Sequence, residues 1–446
     1  MARIVIVGGG SYTWGPLFVR DLAVAPELAG GTVVLHDVDA GALDLVYRLG
    51  QKLIRTGSLP FTVEKEPELD AALEGADAVI LTITTGGLEA MRHDLEIPEQ
   101  YGVYQTVGDT VGPGGLARAL RNVPVVVELA RRMERACPGA WLLNYTNPMT
   151  TLCRAVTRET GVPTAGLCHE YIGVRDKLAP LFGVSPAEIE VRLAGINHLA
   201  WIVDLWVRGE DALPRLRGMG EQGLADRWQV LGADEVMASM VDRGRIKARL
   251  LEVYGALPAA GDRHVAEFFP FFLTEAGGWG RRWGVERTPA GERAQWRAAA
   301  EGLVRAALGD GVDLAPFLQE TSGEAASGIV AALSGAGAHH GPLNLPNTGQ
   351  IANLPPGAVV ETLGSVDAAG ARALPAGDLP PGIQAVVARH VANQEMIVEA
   401  ALNGDRRLAL HALLNDPLVR DLDTAGPMLD EMLAANRRYL PRFFQE

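Results

Sequence analysis

The first eleven residues narrow the fold more than any other segment of the chain. Arg3-Ile4-Val5-Ile6-Val7 is a β-branched run with no polar alternation, and Gly8-Gly9-Gly10-Ser11 follows it directly. A strand without a polar side has to be covered on both faces, as the inner strands of parallel sheets are. The glycines close it with a turn whose missing side chains let a bulky ligand approach the backbone, and a helix-like stretch from Gly15 to Ala25 follows. Thr32-Val33-Val34-Leu35-His36-Asp37 then reads as a second strand ending in an acid, which makes the opening a βαβ unit. Strand-like runs at 78–83 and 140–145 alternate with helical segments at 66–75 and 115–135. The pattern predicts an α/β fold with a Rossmann-like doubly wound parallel sheet over residues 1–160.

Residues 161–446 read differently. Helices are expected at 222–254, 290–308 and 384–415, between Gly/Pro-rich segments at 255–263 and 334–358 in which apolar residues are interleaved. No internal repeat is present. This half is expected to be an α+β domain that binds substrate, carries a metal site and assembles subunits into a homodimer or homotetramer.

Charge and cysteines restrict the partners. The formal charge of −14 over 446 residues argues against a nucleic-acid binder, which needs a basic stripe to neutralise phosphates. Three cysteines, Cys137, Cys153 and Cys168, cannot build a disulfide framework. The N-terminal apolar run is too short for a signal-peptide core and no stretch approaches ~20 apolar residues, so a cytoplasmic protein with no membrane partner is expected. A small-molecule substrate is the remaining class of partner.

Gly8, Gly9, Gly10 and Ser11, between a strand and a helix, suit a pyrophosphate held on unpaired N–H groups of a helix start. The spacing is not a clean GxGxxG and would also serve an ordinary turn. Asp37 at the end of the second strand adds an acceptor for both ribose hydroxyls and repels a 2′-phosphate, which favours NAD over NADP. Thr82, at the end of the run over 78–83, joins this set. Three further segments, each at the end of an apolar run, concentrate reactive groups: Asn144-Tyr145-Thr146-Asn147-Pro148, Cys168-His169-Glu170-Tyr171 and Gly195-Ile196-Asn197-His198. A Cys168 thiolate and a His198 imidazole are two candidate ligands for a divalent ion, with positions left open to substrate oxygens. Asn147 is a candidate substrate contact.

These residues in this order resemble the NAD- and manganese-dependent glycoside hydrolase family 4. The resemblance runs through most of the chain: the GGGS opening, Gly86-Gly87 with Arg92, Asp109 to Gly115, Asn144 to Pro148, the Cys168 signature, Asn197-His198 and the region of Asp262. The segments 105–113 and 254–264 are similar to the α-galacturonidases, although Tyr171 stands where those enzymes typically carry valine. The resemblance implies hydrolysis of an α-galacturonide by oxidation at C3, loss of the C2 proton, elimination and water addition, with NAD and Mn²⁺ or another divalent ion as cofactors. It also implies roles: Asp262 as the base at C2, His169 as proton donor, Asp109 as an acid that tunes the base, and Arg92 and Asn147 on the substrate. A uronate needs a cation, for which Arg92, Arg263, Arg281 and Arg282 are candidates among which the sequence does not choose. An α-glucosidase of the same family is the alternative. A lactate- or malate-type dehydrogenase and a non-catalytic NAD-binding regulator are more distant readings, disfavoured by the Cys168/His198 pair and by the full set of reactive residues.

Overall fold

The computed structural model describes residues 1–231 and 242–445. Strands β1 (Arg3–Val7), β2 (Thr32–His36), β3 (Thr62–Lys65), β4 (Ala78–Leu81), β5 (Trp141–Asn144) and β6 (Thr164–Gly166) lie parallel in the order β3-β2-β1-β4-β5-β6. The doubly wound sheet is therefore present. Alternation along β1 explains its composition. Val5 and Val7 pack with Val34, Val79 and Leu142 on one face, while Ile4 and Ile6 pack with Val33, Leu35 and Ile80 on the other. From β1 the chain winds outward to β2 and β3, then crosses to β4 on the other side. Their carboxyl ends frame the crevice in which open α/β sheets bind ligands.

The sheet continues beyond β6. Strands β7 (Ile189–Gly195), β8 (Trp201–Val207), β9 (Glu210–Asp211), β10 (Leu257–Pro258), β11 (His339–Pro346), β12 (Val359–Asp367) and β13 (Gly370–Ala373) complete one 13-stranded sheet. β11 joins β6 antiparallel where Asn344 faces Gly166, and β12, β7, β8 and β10 follow antiparallel. Two features cross the division expected near residue 160. β6 lies past it, and the C-terminal helices contribute Val398, Ala409 and Met428 to the cluster that holds Val5 and Val79.

Two expected helices are divided. The one over 384–415 is two, Pro381–Asn403 and Arg406–Asn415. Gly404 between them has φ 68°, a Cβ there would lie 2.2 Å from the Arg442 carbonyl oxygen, and Asp405 caps the second helix by accepting from Leu408 N at 2.9 Å. The one over 222–254 is seen as Gly220–Leu231 and Arg245–Tyr254, and its residues 232–241 lie outside the described residues. Among the described residues no helix is long and apolar enough to cross a membrane.

Candidate active site

The glycine turn is locked onto its neighbours. Gly8 has φ 95°, and a Cβ on it would fall 1.9 Å from the Thr82 carbonyl oxygen, so only glycine lets the end of β1 press against the end of β4. Gly8 N and Gly9 N both donate to His36 O, at 3.0 and 2.9 Å. Gly10 N donates to Asp37 Oδ2 at 2.9 Å, and Asp39 N to Asp37 Oδ1 at 2.9 Å. The carboxylate keeps further lone pairs for hydroxyl donors. The helix Trp14–Val24 begins beyond the turn with no side-chain cap from Thr13. Trp14 N donates to the Ser11 hydroxyl at 3.2 Å and Gly15 N to Ser11 O at 2.9 Å, so the turn is held against the positive end of the helix dipole, which favours an anion there. Gly8, Gly9, Gly10, Ser11, Asp37 and Thr82 come together here, and the cradle fits a dinucleotide.

A second constellation lies around Asp109. The loop before it is clamped by Glu267, which is 1% exposed and accepts from Val107 N at 2.6 Å, Gly108 N at 2.9 Å and Thr106 Oγ1 at 3.1 Å. His198 sits in the turn between β7 and β8 with φ 63°, a left-handed conformation that a non-glycine residue adopts at a cost. His264 comes from the short helix Asp262–Ala266, and its ring stacks on that of His198 with centroids 3.8 Å apart. Asp109, His198 and His264 offer ligand atoms that all lie within 4.8 Å of one another.

Hydrogen bonding selects the imidazole tautomer. Thr110 Oγ1 is 2.7 Å from Asp109 Oδ1 and 2.8 Å from His198 Nδ1. The threonine has one proton and gives it to the carboxylate, which can only accept. His198 Nδ1 must therefore be the donor to Thr110, leaving a lone pair on Nε2. Burial, aided by His264, pushes the His198 pKa down to about 3, so the ring is neutral. Burial alone would raise the Asp109 carboxyl, but His264, His198 and Arg118 hold it well below the usual carboxylate range. His264 Nδ1 is buried without a hydrogen-bond partner. Two imidazoles, a carboxylate and an unpartnered buried nitrogen fit a borderline divalent ion.

The remaining expected residues are distributed as follows. Asn147 joins the cluster, its Nδ2 donating to Asp109 Oδ2 at 3.3 Å. Cys168 lies outside the three-residue grouping; its sulfur receives hydrogen bonds from the Asn197 side chain and the Glu170 amide, and burial, with Glu361 and Glu170 nearby, pushes its thiol well up. His169 is exposed, with Nδ1 3.0 Å from Glu324 Oε1, and that contact raises its pKa. Asp262 is 1% exposed; its Oδ2 accepts from Ile246 N at 3.0 Å, and its Oδ1 accepts from Lys247 N at 3.1 Å and lies 3.2 Å from Lys247 Nζ. It thus caps the helix Arg245–Tyr254, not the helix it begins. Arg92 is exposed and paired with Glu96 at 3.0 Å, and Arg282 is exposed with its guanidinium over the Trp283 ring. Neither forms a hydrogen bond or ion pair with the cluster among the described residues. Thr110, Arg118 and the ligand geometry of His264 were not singled out by the sequence, although His264 stands two residues after Asp262.

The two sites share one edge of the sheet. Arg118 Nε donates to Asn147 O at 3.0 Å and its Nη2 reaches Thr84 Oγ1 at 3.3 Å, tying the segments after β4 and β5 together beside Asp109. With that geometry established, comparison with known proteins is decisive. The family 4 glycosyl hydrolase model matches residues 3–184, and the model of its C-terminal domain matches residues 193–419. The chain belongs to glycosyl hydrolase family 4. An α-galacturonidase of Bacillus subtilis (strain 168) is 36% identical, over 97% of this chain and 96% of that one. The crystal structure of lplD from Bacillus subtilis is similar with TM-score 0.89 at 34% identity, covering 97% of this chain and 100% of that one. A 6-phospho-α-glucosidase from gut microorganisms, solved in complex with NAD and Mn²⁺, has TM-score 0.81 at 22% identity and covers 99% of each chain.

Proposed function

We propose that this family 4 glycosyl hydrolase cleaves α-galacturonides with NAD and a divalent metal. The observation that carries the reading is the hydrogen bond from Asn147 to Asp109, which puts the candidate metal cluster on the same sheet edge as the dinucleotide cradle. When bound, NAD supplies a reversible hydride acceptor for a sugar carbon, and the metal supplies Lewis acidity toward sugar oxygens. His198, Asp109 and His264 would hold the metal, with Cys168 joining them on losing its proton. Asn147 and Arg118 orient the substrate edge.

Asp262 is the base for the C2 proton in this reading. Burial raises its proton affinity above that of an ordinary aspartate, against the pull of Lys247, and a higher pKa makes a stronger base. Each of its oxygens accepts one backbone amide and keeps a further lone pair for a proton. His169, exposed and made more basic by Glu324, can carry the proton that a leaving oxygen needs at neutral pH. The reading also includes a cytoplasmic location, a homodimeric or homotetrameric assembly, and a division of labour between residues 1–160 and 161–446.

The test is a panel of 4-nitrophenyl α-glycosides with NAD and Mn²⁺ under reducing conditions. The galacturonide should be cleaved fastest, and only with both cofactors, with no net NADH formed. Cleavage that survives removal of NAD and metal overturns the mechanism, and preference for the neutral galactoside or glucoside overturns the substrate.

A further inference from the structure

Two partly buried arginines beside the candidate metal cluster form no ion pair among the described residues. Arg263 Nη2 donates to the Thr288 hydroxyl at 2.8 Å and to the Thr106 carbonyl at 3.4 Å, both neutral, and its Nε is buried without an acceptor. Arg293, the fourth residue of the helix Ala290–Ala307, has no side-chain hydrogen bond or ion pair among the described residues, and its Nε too is buried and unpartnered. The helix is placed by its approach. Arg287 Nε donates to Gln105 O at 3.1 Å and Thr288 receives Arg263, so the segment before the helix is fastened to the loop that leads into Asp109. Asp109, Arg263 and Arg118 are accordingly the charges that Arg293 feels most, while burial lowers its own pKa.

Arg118, Arg263 and Arg293 lie around Asp109, and the carboxylates of Glu267, Glu170 and Glu292 also act on Arg263, yet among the described residues none of these acids forms an ion pair with Arg263 or Arg293; Glu267 is occupied by the amides of Val107 and Gly108. An arginine near the start of a helix also opposes the helix dipole. Keeping a guanidinium out of water without a counter-charge is costly, and the cost is recovered when an anion arrives. We propose that Arg263 and Arg293 receive the carboxylate of the uronide, as the determinants that separate it from a neutral hexoside. The planar fork of arginine matches a carboxylate in two-point contact, and a hydroxymethyl group in the same place would leave both cations unpaired. The assignment rests on the galacturonide reading above. Arg263 is among the cations the sequence offers for this role and Arg293 is not, while Arg92 and Arg282 lie at the surface.

The test is calorimetric titration of the protein, loaded with NAD and Mn²⁺, with D-galacturonate, D-galactose and D-galactose 6-phosphate. Arg293→Gln should weaken galacturonate binding roughly 10- to 100-fold, as loss of a charge-assisted contact does, and leave galactose within about twofold. Arg293→Lys should recover part of the loss, and Arg263→Gln should repeat the selective effect. NAD affinity, measured separately, should hold within about twofold, which also reports folding. Equal losses for the acid and the neutral sugar overturn the assignment, as does a loss confined to NAD, which would give Arg293 to the cofactor. Tighter binding of the 6-phosphate than of galacturonate gives the pair to a phosphate and overturns it too, and so does failure of the wild type to bind galacturonate. A wild type that cleaves no α-galacturonide yet binds galacturonate through Arg293 removes the reading above and leaves this one standing.

Discussion

At the scale of single residues, Thr110 decides what His198 can do. Its hydroxyl fixes the Nδ1–H tautomer and leaves Nε2 as the ligand atom. Thr110→Val keeps the shape and removes that relay, so Mn²⁺ affinity should fall about 10- to 100-fold while NAD binding is retained. Manganese titration followed by paramagnetic resonance reads this directly, and an unaltered affinity would refute the tautomer argument. Cys168→Ser should likewise weaken Mn²⁺ binding if the thiolate joins the three clustered groups. His198 and Asn147 could be singled out from the sequence because each stands in a short polar segment after an apolar run, and Asp109 through the family resemblance. Thr110 could not, since its role depends on a histidine 88 positions away. Asp262 shows the opposite difficulty: its capping of Ile246 and Lys247 runs backward along the chain to a different helix, which no local pattern reveals.

Among the elements, the β1 turn makes the sharpest prediction. Gly8 and Gly75 both have positive φ, 95° and 68°, yet a Cβ at Gly8 meets the Thr82 carbonyl whereas one at Gly75 meets nothing within 4 Å. Gly75→Ala should therefore cost only the conformational penalty, on the order of 1–2 kcal/mol. Gly8→Ala must also push β1 from β4, and NAD binding, followed by fluorescence, should be lost beyond about 100-fold. Comparable NAD affinity in the two variants would show that the close approach is not needed. The inner strands were legible because β-branched runs with both faces buried leave no polar period. The antiparallel extension was not, because β11 and β12 carry Asn344 and Glu361 inward, bonded to each other at 3.0 Å, and so break the apolar pattern. The break at Gly404 was hidden for a related reason: a single glycine costs a helix little, and the backbone of Arg442 that leaves room only for glycine there comes from a distant part of the sequence.

For the whole molecule, buried carboxyls that join distant parts of the fold set the pH dependence of stability. Asp416, 4% exposed, accepts from Gly112 N at 2.8 Å and Leu418 N at 3.0 Å, tying the C-terminal helices to the helix Gly112–Ala136. Glu361, 2% exposed, accepts from Asn344 and Asn197 and so joins β11, β12 and the turn after β7. Burial, opposed by those donors, raises Asp416 to about 6 and Glu361 to about 7. At these two groups the folded protein binds more protons than the unfolded chain between the ordinary carboxyl values and these raised ones. Their contribution to stability is greatest below that window and is lost as pH rises through it. Glu170 acts elsewhere: the histidines around it overcome the effect of burial and bring it to about 2, so its contribution is lost only on acidification below the ordinary glutamate value. His198 and His390, each brought down to about 3 by burial, act with the opposite sign up to pH ~6.5, so the share of one raised carboxyl is read by difference. For Asp416 alone a shift of about two units corresponds to roughly 3 kcal/mol as an upper figure. Urea unfolding of the metal-free protein at pH 4.5, 5.5, 6.5 and 7.5 isolates the Asp416 share as the difference between wild type and Asp416→Asn, which retains one acceptor and cannot ionise. The stability of the wild type relative to the variant should fall across the series by up to that amount. A difference that stays constant with pH would mean that Asp416 ionises freely in the fold and that the join it makes to Gly112 carries no proton-linked strain.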